Sequence, residues 1–287
     1  MSILKKVLIV FTILVVLVAS LAFDAFYSAP SRFTVRYETL ESIYIPEGLS
    51  DTSILFFSDL KYGPFMKEQR LQKLVQAINN LSPDVVIFGG DLFADDYKPS
   101  EDDKNIVKTT LKEICAPLGK FAVLGDTDQE TLDDMGTNKG LLYEADFEVL
   151  DNKSISIRNF GSDSITLVGL QNSVNGYADI TTAYENISRS SFTIAICHTP
   201  DTAKDVPTDL TKYFLAGHSL GGQVYYGLGS LYTPLKADYY FKGKHTVNDS
   251  VTLDITSGTG TVIKDVRFLS NAEIVLYRLK RKSIMAD

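Results

Sequence analysis

Five short polar loops carry the residues of this chain that could do chemistry. They are Ser58-Asp59-Leu60-Lys61, Gly89-Gly90-Asp91, Gly125-Asp126-Thr127-Asp128, Cys197-His198-Thr199-Pro200 and Gly217-His218-Ser219-Leu220-Gly221-Gly222-Gln223. Each follows an apolar run, at 54–57, 85–88, 121–124, 192–196 and 213–216, that reads as a buried strand. Open α/β sheets present ligands just beyond the carboxyl ends of their strands. Three aspartate-bearing loops and two of the chain's three histidines are therefore aimed at one rim. Carboxylate and imidazole donors in that combination suit one divalent cation such as Zn²⁺, Mn²⁺ or Fe²⁺.

The elements that must position these loops alternate between strand and helix in the first half. Leu71, Leu74, Val75 and Ile78 give residues 67–80 a helical period, Ser82-Pro83-Asp84 turns the chain, and 101–114 is a second amphipathic helix. Alternation of this kind implies parallel pairing in a layered α/β fold. Short strands at 33–37 and 43–45 are expected ahead of this core. The second half is richer in strands, at 154–158, 165–170, 251–256, 262–268 and 273–279, with a short helix at 180–188. Two mixed sheets packed together, with helices outside, accommodate the pattern.

The 287 residues, 45 % of them hydrophobic, suffice for one large domain or two small ones, and no linker after residue 30 is long enough to split the chain. A net charge of −8 argues against a nucleic-acid partner held by phosphate contacts. The basic residues Arg278, Lys280, Arg281 and Lys282 read as a solvated tail. Residues 7–23 carry no charge, Lys5 and Lys6 precede them and Asp24 follows. As a helix this run rises about 25 Å, near the short limit for a bilayer span. Flanking lysines favour a cytoplasmic N-terminus and a domain on the outer side of the cell membrane. The rival is a signal peptide cleaved after Ser20-Leu21-Ala22, but apolar character resumes at Ala25-Phe26-Tyr27. The expected organisation is a cytoplasmic stub at 1–6, an uncleaved transmembrane signal anchor at 7–27, a connector at 28–50 and the domain at 51–282.

One motif competes with the metal reading. Gly217-His218-Ser219-Leu220-Gly221 fits the nucleophile elbow of serine hydrolases, with Ser219 as nucleophile. The elbow needs a helix directly after the serine, whereas β-prone residues and two glycines follow. Of the histidines only His245 lies beyond Ser219, too near to leave room for the acid between them.

In order and spacing the five loops resemble the calcineurin-like metallophosphoesterases, in the bacterial branch with one N-terminal hydrophobic segment. That family's pattern runs D-x-H, G-D, G-N-H-D/E, a lone histidine, then G-H-x-H continuing as G-G-Q, and the resemblance covers roughly residues 50–280. It implies a four-layer αββα sandwich. It also implies two metal sites sharing the G-D aspartate. At the first, this chain keeps Asp59 and Asp91 but has Lys61 and Leu220 in place of the two histidines. At the second, Asp91, Asp126 (for asparagine), His198 and His218 remain. Thr127 stands where the family has its histidine acid. An ammonium has no lone pair for a metal, and leucine has none at all. Lys61 is expected either to supply positive charge among three carboxylates or to point to solvent.

The expectation is a family member with one metal site kept and one lost. Hydrolysis is then weak or absent, as in a pseudoenzyme, and binding of a phosphorylated lipid or cell-envelope ligand is favoured. The alternative is an active one-metal phosphoesterase using Lys61. Asp95 and Asp96 read as solvated loop, His245 as surface, and Tyr225, Tyr226, Tyr239 and Tyr240 as packing.

Overall fold

The computed structural model describes residues 2–159, 161–227, 229–230 and 232–283. Met1 of the N-terminal stub therefore lies outside the described residues. The chain begins with helix α1 (Ile3–Phe23), followed by a π turn at Asp24–Ser28 and a 3₁₀ turn at Ala29–Ser31. Then come β1 (Thr34–Ser42), β2 (Ser53–Phe57), α2 (Glu68–Asn80), β3 (Val85–Phe88), α3 (Glu101–Lys112), β4 (Lys120–Ala122), α4 (Leu132–Glu144), β5 (Phe147–Val149), β6 (Lys153–Ile157) and β7 (Ile165–Leu170). The remaining elements are α5 (Ile180–Ala183), β8 (Thr193–Cys197), β9 (Tyr213–Ala216), β10 (Gly243–Val247), β11 (Val251–Ile255) and β12 (Glu273–Arg281).

The strands form two six-stranded mixed sheets, ordered β1-β12-β2-β3-β4-β5 and β10-β11-β9-β8-β7-β6. Alternate side chains of one strand feed different cores. In β2, Leu55 and Phe57 join the core under α2, α3 and α4, whereas Ile54 and Phe56 join the core between the sheets. In β8, Ile194 and Ile196 face that same central core, while Ala195 and Cys197 face the outer cover of the second sheet. Strands buried on both faces read as unbroken apolar runs, which is why the five runs were legible. The result is a four-layer αββα sandwich.

β2, β3 and β4 are parallel neighbours in one sheet, and β8 and β9 in the other. Their carboxyl ends open onto the same rim, and all five polar loops meet there.

Several elements differ from expectation. Residues 34–42 are one long strand, paired with β12 in register from Thr34↔Glu273 to Ser42↔Arg281, so the segment ahead of the core completes its sheet. Residues 43–45 form a turn and not a strand, with Ile45 buried in the central core. The helix at 180–188 stops after one turn, and Asn186 takes a left-handed φ of 63° just beyond it. Residues 262–268 do not form a strand. Gln223 takes their backbone groups, accepting from the Val262 N–H (2.7 Å) and donating to Val262 O and Lys264 O (both 3.0 Å). Helix α4 was missed because only Asn138 and Leu142 of its thirteen residues are buried, leaving no apolar stripe. It starts at a capping box between Thr131 and Asp134. His245 lies half-buried on β10, its Nε2 bonded to Lys242 O, rather than in a surface turn.

Arg267 ties the rim together. It is fully buried and donates to Leu220 O, Ser257 O, Gly258 O, Gly260 O, Ser270 O and Asn271 O. Among the described residues it has no carboxylate partner within ion-pair distance. Burial pulls its pKa down to about 9, so the guanidinium is still charged at neutral pH. Replacing it strands several buried carbonyls at once. Arg267→Met is expected to cost more than about 3 kcal/mol, and Arg267→Lys a large part of that because the planar fork is lost. Chemical-denaturation midpoints of the full chain in detergent check this; an unchanged midpoint for Arg267→Met would remove Arg267 as a fastener.

Candidate metal centre

Backbone pairing brings the loops into contact before any side chain acts. The loop after β2 lies along the loop after β3, with Asp59 N–H on Gly90 O (2.9 Å) and Lys61 N–H on Asp91 O (3.0 Å). Gly217 N–H bonds His198 O at 3.1 Å, joining the two histidine loops. Gly90 (φ 94°) and Gly125 let two turns touch, since a Cβ at Gly125 would meet the Asp91 carboxylate. Asp59, Lys61, Asp91, His218 and Leu220 all adopt positive φ, between 51° and 70°. Left-handed backbone at bulky residues is uncommon and gathers at sites the surroundings over-determine.

Four donor atoms converge. His198 Nε2 lies 3.1 Å from Asp91 Oδ2 and 3.3 Å from Asp126 Oδ1, and His218 Nδ1 lies 3.1 Å from both Asp126 Oδ1 and His198 Nε2. The opposite ring nitrogens are committed. His198 Nδ1–H donates to Gly89 O and His218 Nε2–H donates to Leu235 O, both at 2.7 Å. Each imidazole therefore turns its second nitrogen inward, the arrangement that orients metal-ligating histidines. Asp126 Oδ1 is buried with no hydrogen-bond donor among the described residues, and Asp91 Oδ2 is buried between His198 Nε2 and the Lys61 ammonium. Two ring nitrogens and two carboxylate oxygens thus face one another and demand a cation. A tetrahedron with bonds of about 2.0 Å has edges of about 3.3 Å, close to the spacings found. The residues present fit one divalent ion.

The local charges agree with this. Burial opposes a proton on His198, but Asp91, Asp126 and Asp59 outweigh it and raise its affinity for a proton well above normal. The same surroundings favour a metal ion competing for that nitrogen. Burial also opposes the charge on Asp91, and His198 and Lys61 outweigh it, holding that carboxyl well below its usual range.

Lys61 is buried, with Nζ 2.6 Å from Asp91 Oδ2 and also paired with Asp95. It does not point to solvent. Burial works against its charge, yet Asp91 and Asp95 hold its pKa well above the normal lysine value. Asp59 stands outside the group of four: Oδ2 accepts from Ser58 Oγ and from His218 N–H (3.1 Å), and Oδ1 is buried without a donor among the described residues, 4.0 Å from His198 Nε2. Thr127 donates from its backbone N–H to Asp91 Oδ1 (3.1 Å), and its hydroxyl lies between that oxygen (2.9 Å) and Phe93 O (3.0 Å). It holds the Asp91 carboxylate in orientation.

Two aspartates matter more than the sequence suggested. Asp128 is fully buried and accepts from the N–H groups of Asp91, Leu92 and Gly125 at 2.7–2.8 Å, fixing the Asp91 turn. Burial pushes its carboxyl up to about 6, with the Asp91 charge adding to the effect. Asp95 is the second partner of Lys61; its only sequence signal was its place four residues after Asp91. Ser219 does not form a nucleophile elbow. Its Oγ accepts from Gly221 N–H, a three-residue 3₁₀ turn follows it, and neither ring nitrogen of His218 bonds it.

No family model matches the chain. It is 27 % identical over 258 residues to the uncharacterised metallophosphoesterase YkuE of Bacillus subtilis, covering 88 % of each. The chain belongs to the metallophosphoesterase family. It is also 27 % identical to a transmembrane protein with a metallophosphoesterase domain from Danio rerio, over 83 % of this chain and 55 % of that one. Among solved structures, the calcineurin-like phosphoesterase YfkN of Bacillus subtilis superimposes with a TM-score of 0.44 at 14 % identity, covering 73 % of this chain and 82 % of that one. Like the Danio rerio protein by its name, this metallophosphoesterase-family chain carries a segment, Ile3–Ser31, long and apolar enough to cross a membrane.

Proposed function

We propose that this is a membrane-anchored member of the family that binds one divalent ion through Asp91, Asp126, His198 and His218, and that Lys61 occupies the second cation position. The observation that carries this is the Lys61 ammonium 2.6 Å from Asp91 Oδ2, the carboxylate that also faces His198. Four carboxylates, Asp59, Asp91, Asp95 and Asp126, against one lysine leave an excess of negative charge, which a divalent ion offsets. When bound, the ion supplies Lewis acidity to a phosphoryl oxygen and acidifies a coordinated water. Lys61 supports phosphate binding as a fixed charge. Thr127 is a poor acid and its proton is already engaged. Phosphate binding with weak or absent hydrolysis is therefore favoured over ordinary turnover. The flanking Lys5 and Lys6 support a span at 7–27 with the domain, 51–282 plus the strand from 34–42, on the outer side.

Elemental analysis of the purified full chain tests this reading. One tightly held transition-metal ion per chain is expected. Two ions would overturn the account of Lys61 and Leu220, and none would remove the metal centre.

A further inference from the structure

The junction between α1 and the domain is apolar on both sides. Val18, Leu21 and Ala22 of α1 face Val224, Val266 and Phe268 across a cavity of about 440 Å³. The backbone joins there as well, Arg267 N–H donating to Ala25 O at 2.9 Å. These α1 residues belong to the uncharged run 7–23. Without 18–23 that run keeps 11 residues, about 16 Å of helix against a hydrocarbon core of about 30 Å. The helix cannot span unless 18–22 lie in the bilayer, and the loops that face them across this cavity must then lie at its interfacial layer.

The loop tips carry matching chemistry. Ile263 is 77 % exposed and Leu269 63 % exposed, with exposed Lys264 beside Ile263. Ile263 also takes a φ of 61°, unfavourable for a β-branched residue. Apolar tips with a neighbouring lysine suit an acyl–headgroup boundary carrying anionic lipid. These loops are tied to the metal centre, since Gln223 and Arg267 fasten 262–268 to the His218 loop.

We infer that the loops fastened to the His218 loop, led by Ile263 and Leu269, dock on the surface of the bilayer that α1 crosses, so that the metal centre serves phosphates presented by lipid. This rests on the proposed anchor. The chain contains no tryptophan, so single-tryptophan variants report position cleanly. The full chain carrying Ile263→Trp or Leu269→Trp is reconstituted in phosphatidylcholine–phosphatidylglycerol vesicles with brominated acyl chains. Phe11→Trp marks the span. Tyr143→Trp, at the end of α4 just before β5 begins, marks the pole opposite the site. Emission from positions 263 and 269 is expected to shift to shorter wavelength and lose intensity with brominated lipid, while position 143 keeps its intensity. If Phe11→Trp is quenched but 263 and 269 behave as 143 does, the docking surface is wrong and the anchor stands. If Phe11→Trp is itself unquenched, both fall.

Discussion

Restoring Lys61→His, Asp126→Asn, Thr127→His and Leu220→His together is expected to raise hydrolysis of a generic phosphoester by roughly 10²-fold or more, about 2.7 kcal/mol of transition-state stabilisation. The structure gives this a local basis. Asp59 Oδ1 is buried without a donor and Asp91 Oδ2 is matched by Lys61, so the oxygens of a second site are in place and only its nitrogen ligands are missing. Histidines at 61 and 220 would return them, and a histidine at 127 would restore an acid. Single reversions should gain little, because ligands of one site act as a unit. Lys61→His alone should also destabilise the chain, since it leaves Asp91 and Asp95 without their ammonium. Steady-state rates on a phosphomonoester and a phosphodiester, measured with metal supplied, decide the matter. Wild-type turnover at ordinary enzymatic rates, with no gain in the quadruple variant, would mean that the present residues are a working site of their own.

His198→Ala and Asp91→Ala should each abolish metal binding. Either change removes one of four converging donors, and loss of Asp91 also leaves Lys61 paired only with half-exposed Asp95. Metal bound to the native state alone stabilises it by mass action. The added metal should therefore raise the melting temperature of the wild type and leave both variants unmoved. Ser219→Ala should keep the metal response, because among the described residues the hydroxyl bonds only its own turn. A metal-independent esterase activity that disappears in Ser219→Ala would instead establish the serine-hydrolase alternative.

The parts of this protein written in local pattern were legible in its sequence. Strands buried on both faces, such as β2 and β8, show as unbroken apolar runs, and polar loops at their ends marked the rim. Asp91, Asp126, His198 and His218 could be named because each directly follows or closely trails such a run. Elements without an apolar stripe were not legible: α4 is held by its cap and by neighbours, and 262–268 became a loop because Gln223, forty residues earlier, takes its backbone groups.

What the sequence by itself determined was the donor inventory: which loops carry carboxylate or imidazole, and that positions 61 and 220 offer no lone pair to a metal. Only the tertiary structure decided how those donors are used. Whether a lysine is solvated or buried depends on what lies above it, and Asp95 closes over Lys61 from another strand's loop. Which imidazole nitrogen turns inward depends on Gly89 O and Leu235 O, contributed from 109 and 17 residues away. That the rim lies against the helix of the proposed span follows from Arg267 reaching Ala25 O. Hydrogen bonds and ion pairs are set by distance in space, and residue order along the chain carries that distance only within one turn or one strand.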